Sequence, residues 1–212
     1  MTTGKSSFLL PPFGKTIQKS PSDLSGALSH VDRAINVLTR RLRRWLSSEL
    51  QLTENPRSWI GQFKDEINLR TSSLPTLART HTVSEIITQL PNLIRLHDAL
   101  SWADTLGRAY SVELCHPTQS HSDDWNADLV LKDTNTRTCL CFEITDSKSP
   151  TNNEKLAHTF RKFRDVRRAK PKHAISFFMV APISWEGSLR KRKFVMATYT
   201  QGSSAIGELD VR

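Results

Sequence analysis

A chain of 212 residues fits one large domain or a small helical module joined to a compact α/β core. Hydrophobic residues make up 37% of it, enough to bury a core but too dispersed for a membrane span, and its three cysteines, Cys115, Cys139 and Cys141, exclude a disulfide-stapled scaffold. The formal net charge of +9 creates a field that attracts polyanions, and the cysteine usage suits a reducing, cytoplasmic compartment.

In residues 1–13 the short Phe8-Leu9-Leu10 cluster is cut off by Pro11 and Pro12, so the continuous apolar region of a signal peptide is missing and an untargeted, flexible arm is expected. Ser20-Pro21-Ser22-Asp23 then reads as a helix start, because serine can cap a free amide, proline suits the first turn and an acid meets the positive end of the dipole. Leu24, Leu28, Val31, Ile35, Leu38, Leu42 and Trp45 alternate steps of four and three, which makes one apolar stripe that must be buried. The stripe could mediate a homodimer through this helix or pack on the chain's own second half. Arg33, Arg40, Arg41, Arg43 and Arg44 occupy the other faces, as a solvated surface or a phosphate contact.

Trp59, Ile60, Phe63 and Ile67 predict a shorter amphipathic helix, and residues 71–75 end it with turn formers. Residues 1–80 are thus expected to form a helical N-terminal module with its arm, and residues 81–212 a separate core. Thr82-Val83-Ser84-Glu85 is a capping box that opens a third helix, in which Pro91 kinks or restarts the helix before Leu93, Leu96, Leu100, Ala103 and Leu106. From Tyr110 the period changes to two: strands are expected over 110–115, 127–132 and 138–145, a helix over 152–168, a strand apolar on both faces over 174–181, and a polar edge strand over 193–200.

Two acids stand at unusual places in this order. Asp128 starts the apolar run Ala127-Asp128-Leu129-Val130-Leu131, and Glu143 lies inside Leu140-Cys141-Phe142-Glu143-Ile144-Thr145. A carboxylate inside a strand needs a cation or hydrogen bonds to offset several kcal/mol of lost hydration, on the order of magnitude known for buried ions. A divalent ion shared by both acids would meet that need, and Mg²⁺ prefers such hard oxygen ligands while keeping waters and a substrate phosphate. Without such a partner, Asp128 would simply end a turn and Glu143 would lie on an exposed edge.

Asn126-Ala127-Asp128, a spacer of fourteen residues, and Glu143-Ile144-Thr145 resemble the motif of the PD-(D/E)XK, or restriction-endonuclease-like, nuclease superfamily over residues 92–181. The resemblance implies an α/β fold with an αβββαβ core and a central mixed sheet, Asp128 and Glu143 as ligands of Mg²⁺ or Mn²⁺, and hydrolysis of phosphodiester bonds in nucleic acid, DNA before RNA. Its motif lysine is replaced by Thr145, which carries no charge. Lys155 on the following helix, or Lys148 on the loop before it, is expected to take that role, with Lys155 preferred. The superfamily's further acid from the first core helix would be Glu85 or Asp98. A chain that has lost the lysine could also persist as an inactive scaffold binding nucleic acid or a protein.

Between Lys155 and Lys193 there are twelve Lys or Arg residues against two acids, Asp165 and Glu186. Arg161, Arg164 and Arg168 share a helical face, Lys172 follows, and Arg190, Lys191, Arg192 and Lys193 form a run expected in a loop. Such a cluster can neutralise phosphates without reading bases, or merely solubilise the surface. Trp125, in the polar segment before Asp128, is kept as a substrate contact. The cysteines lack zinc-ligand spacing, and there is neither a glycine-rich phosphate loop nor a nucleophile elbow.

Overall fold

The computed structural model describes residues 23–46, 82–114, 127–145, 153–197, 199 and 202–209. In order, helices α1 (Leu24–Leu46) and α2 (Thr82–Asp104) precede strands β1 (Tyr110–Leu114), β2 (Leu129–Asp133) and β3 (Thr138–Ile144). Helix α3 (Asn153–Ala169) leads to β4 (Ala174–Pro182), a 3-10 turn (Ile183–Trp185), helix α4 (Glu186–Lys191), and strands β5 (Val195–Met196) and β6 (Ser204–Leu209). From residue 82 the expected succession of helix, three strands, helix and strand is the one observed. The amphipathic segment around Trp59 lies outside the described residues.

The fold is mixed α/β, with a six-stranded mixed sheet ordered β1-β2-β3-β4-β6-β5. Strands β1, β2 and β3 form an antiparallel meander, the α3 crossover makes β4 parallel to β3, and β6 is antiparallel to both β4 and β5. Period-two alternation divides the core between the two faces. Leu140, Phe142 and Ile144 join α1 and α2 on one face, while Cys139 and Cys141 join α3 and α4 on the other. On the first face Phe178 lies 5.0 Å from Phe142 and 4.9 Å from Trp102, a ring cluster that ties α2 to the centre of the sheet.

Helix α1 starts at Leu24 with Asp23 as its cap: Asp23 Oδ1 accepts the Gly26 N–H at 2.7 Å. Its apolar stripe, including Leu24, Val31, Ile35 and Leu38, is buried in the same cluster as α2 and the sheet. These side chains are used inside the chain, which leaves them unavailable to a second copy. His97 reaches back from α2 to Asp32 at 3.0 Å. Helix α2 continues through Pro91 instead of restarting there. A proline inside a helix costs about 3 kcal/mol, and the burial of Leu90, Leu93 and Ile94 around it, about 1.5–3 kcal/mol each, exceeds that.

The β2–β3 hairpin is fixed by Asp133, whose Oδ1 accepts the N–H groups of Asn135 at 2.8 Å and Thr136 at 3.2 Å. These bonds, Asn135's foremost, hold the Asp133 carboxyl below its ordinary range against an opposing effect of burial. A one-residue slip in this hairpin would exchange the two faces of β3.

The C-terminal part departs from expectation in two places. The strand expected over 193–200 shrinks to the edge pair Val195–Met196, and β6, which was not expected, inserts between it and β4. Gly207 makes this possible, because a Cβ there would meet Phe194 Cβ at 3.0 Å. The run from Arg190 to Lys193 is not a loop but the end of α4 and its cap. Lys193 N–H donates to Arg190 O at 3.0 Å and Phe194 N–H to Leu189 O at 3.1 Å, the paired bonds of a Schellman motif. Lys193 sits at the left-handed position of that motif, with φ 64°. A side chain there costs about 1–2 kcal/mol, which is why glycine usually fills it.

Candidate functional site

Asp128 precedes β2 by one residue. Its N–H donates to Phe142 O at 2.9 Å, and its Oδ2 accepts the Ile144 N–H at 2.7 Å, so the carboxylate continues the ladder where the strand itself begins. The register pairs Leu129 with Phe142, and one step further along it Asp128 stands opposite Glu143. The two acids singled out in the sequence are therefore neighbours on adjacent chain segments at one end of the sheet.

Glu143 is buried on the face shared with α3, and its Oε2 accepts a hydrogen bond from Lys162 Nζ at 2.6 Å. The two side chains are 11% and 15% exposed, so the pair is largely removed from water. Losing either partner would leave a buried charge unmatched, a change of about 3–5 kcal/mol for fully buried pairs. Thr145 is buried, and its N–H donates to Val180 O at 2.9 Å. The motif-lysine position thus contributes no cation, and the charge beside Glu143 comes from the helix packed across the strand.

Lys162 was not among the candidate lysines. Lys148 lies outside the described residues, as does Trp125; Lys155 is in the first turn of α3, with its side chain outside them. A signal for Lys162 did exist. Leu156, Thr159, Phe163 and Val166 are the buried stripe of α3, and Lys162 follows Thr159 by three residues and precedes Val166 by four. That spacing puts it on the edge of the stripe that covers the sheet. Thr159, one turn earlier, carries a buried hydroxyl with no hydrogen-bond partner among the described residues.

Asp98 belongs to a different assembly. Its Oδ2 accepts the Ser203 N–H at 2.9 Å and the Ser204 hydroxyl at 2.6 Å, and Arg95 Nη1 donates to Ser203 O at 2.9 Å. This cluster, in which Asp98, Arg95 and Ser204 are buried, fastens the start of β6 to α2. Gly202 admits it, since a Cβ would come within 2.7 Å of Asp98 Cγ. Glu85's side chain is outside the described residues.

Among the described residues, no group of three His, Cys, Asp or Glu side chains is arranged to hold a metal. The donor set on offer is the carboxylate pair Asp128 and Glu143. It suits a hard ion that keeps most of its waters, and it does not suit zinc. Arg161, Arg164 and Arg168 are exposed on α3, and Lys172 is exposed in the turn before β4, which lies at the far end of β3 from Glu143, since Ala174 pairs with Thr138. Arg190 is exposed but engaged with Glu186 at 2.7 Å, Arg192 donates to Ser188 O at 3.3 Å, and Lys191 and Lys193 are exposed. No described helix is long and apolar enough to cross a membrane. No family model, curated protein or solved structure matches the chain.

Proposed function

We propose that the chain is a metal-dependent nuclease of restriction-endonuclease-like type, which hydrolyses phosphodiester bonds of nucleic acid, DNA before RNA. The observation that carries the reading is the buried Glu143 carboxylate, opposite Asp128 in register and matched by Lys162 at 2.6 Å. The residues present fit Mg²⁺ or Mn²⁺: Asp128 and Glu143 would hold the ion, Glu143 keeping Oε1 outside the bond to Lys162. When bound, such an ion lowers the pKa of a coordinated water and neutralises the scissile phosphate. Asp128 is oriented for its part by the Ile144 N–H, which fixes one of its oxygens. Lys162 supplies the cation that the resemblance expects two residues after Glu143, offsetting charge that builds on the phosphate oxygens. The basic residues of α3 and α4 hold the polyanion against the chain.

A second reading has its own observation. Thr145 stands in place of the motif lysine, and Lys162 closes on Glu143, as in a scaffold whose centre is permanently neutralised. One experiment separates them. Plasmid, linear and single-stranded DNA, and RNA, are incubated with Mg²⁺, Mn²⁺ or EDTA beside Glu143→Ala and Lys162→Met. Metal-dependent cleavage that disappears in Glu143→Ala and falls about 100-fold in Lys162→Met is expected, the size typical of removing one charge-stabilising donor. No cleavage of any substrate, with salt-sensitive binding intact, selects the scaffold.

A further inference from the structure

The face of the sheet that carries Glu143 and Lys162 also carries a shallow cleft of about 410 Å³, lined by Leu156, Ala157 and Phe160 of α3 and by Lys191, Arg192 and Lys193. The cleft lies between the first half of α3 and the end of α4, on the same face of the sheet as Glu143 and toward the edge formed by β5. Its floor is apolar and aromatic, and Phe160 rests against Phe194 at 5.9 Å. Its rim is cationic, and among the described residues no carboxylate lies within ion-pair distance of Lys191 or Lys193.

Lys193 gives the cleft its direction. The Schellman motif that ends α4 needs a left-handed residue after its cap, and glycine fits there without strain. The chain places a lysine there instead. The Lys193 side chain makes no hydrogen bond or ion pair among the described residues, and Leu189 and Phe194, both buried, supply the apolar contact of the motif. Arg190 and Lys191 already supply cations at the negative end of the helix dipole. Strained residues of this kind cluster at ligand-binding sites, which directs attention to what the Lys193 side chain contacts outside the chain.

We propose that this cleft is a docking groove for a single strand of nucleic acid, with Lys191, Arg192 and Lys193 on successive phosphates and the Phe160 floor receiving a base. A duplex keeps the faces of its bases stacked inside and presents only their edges in the grooves, so it has no ring face to lay on an aromatic floor. An unpaired strand brings both, and phosphate neutralisation with base stacking on aromatic rings is how such strands are held. The proposal rests on the reading of the chain as a nucleic-acid protein, but not on its cutting the strand.

Binding is measured by fluorescence anisotropy of a labelled twelve-nucleotide strand and of the matching duplex, in EDTA, across a salt series. Lys193→Gly is the informative variant, because it removes the charge and relieves the backbone together. Its melting temperature is expected to hold or rise, while the slope of log affinity against log salt falls by about 0.7, the share of one phosphate on a single strand. Phe160→Leu keeps an apolar side chain in place and is expected to weaken the single strand at least about 5-fold, as loss of a stacked base does, while leaving the duplex unchanged. Unchanged binding by Lys193→Gly, or a duplex bound as tightly as the single strand, overturns the groove. Absence of cleavage with these binding results intact overturns only the nuclease.

Discussion

Replacing Lys162 with methionine keeps the length and apolar stem of the side chain and deletes its charge, leaving Glu143 buried beside β2 without the cation at 2.6 Å. Breaking a buried pair from one side costs about 3–5 kcal/mol; with 11% and 15% of the two side chains still reached by water, a loss near the lower end, about 3 kcal/mol, is expected. For a chain of this size that corresponds to a melting temperature about 6–12 °C lower. The double variant Glu143→Leu, Lys162→Met removes both charges and leaves no polar group unpaired, and because the penalty lies in the orphaned partner, it should return to within about 1 kcal/mol of the parent. Urea unfolding of the four proteins, followed by circular dichroism, gives the cycle directly. A loss below about 1 kcal/mol in the single variant, or a double variant that loses the sum of the two singles, would refute the pairing as the reason Glu143 tolerates its position.

Three other outcomes follow from the packing. Gly202→Ala brings a methyl to 2.7 Å from Asp98 Cγ, and Asp98 is fully buried and held by Ser203 and Ser204, so it cannot move away; a loss of about 1–3 kcal/mol is expected, against almost none for Gly187→Ala, where the space is open. Because the folded protein holds the Asp133 carboxyl below 3.8, its contribution to stability is present above that value and lost as the pH falls through the lower folded value. Stability measured during acid titration should therefore decline more steeply in the parent than in Asp133→Asn. Cys139 and Cys141 are buried, and burial, first among the causes, pushes the Cys139 thiol up, so in a Cys115→Ser background thiol reagents at neutral pH should label neither until the protein is unfolded.

Where the sequence predicted well, a single physical pattern dominated the segment. The α1 stripe repeats at steps of three and four, and β4 is apolar on both sides, so each element follows from burial alone. Where it predicted badly, a local signal competed with a tertiary one. Pro91 suggests a break, but the surrounding α2 residues are buried on the sheet, and their packing keeps the helix intact. Strand β6 contains Gly207 and Glu208, a composition that argues against a strand, and it exists because β4 offers an unpaired edge and Phe194 needs the room that a glycine leaves. Lys193 hides the end of α4 for the opposite reason, since a lysine where glycine is expected erases the usual stop signal.

The acids and the cation of the candidate site differ in legibility for a reason that is physical. A carboxylate in a strand stands out because its neighbours in sequence are apolar, and its surroundings are set by strand alternation within a few residues. The compensating cation is constrained only in space: it must end near Glu143, and a four-carbon side chain can reach there from any element packed over β3. Positions 145 and 148 and the first turn of α3 are all near Glu143 along the chain, whereas Lys162 is nineteen residues away yet lies across the strand once α3 has folded back over the sheet. The helix period does carry the information, because it sets Lys162 between Thr159 and Val166 at the margin of the buried stripe. A lysine at that margin can keep its stem among apolar neighbours and direct its charge at whatever the sheet buries beneath it. The cation for a buried strand acid is therefore better sought along the margins of the covering helix than along the strand itself.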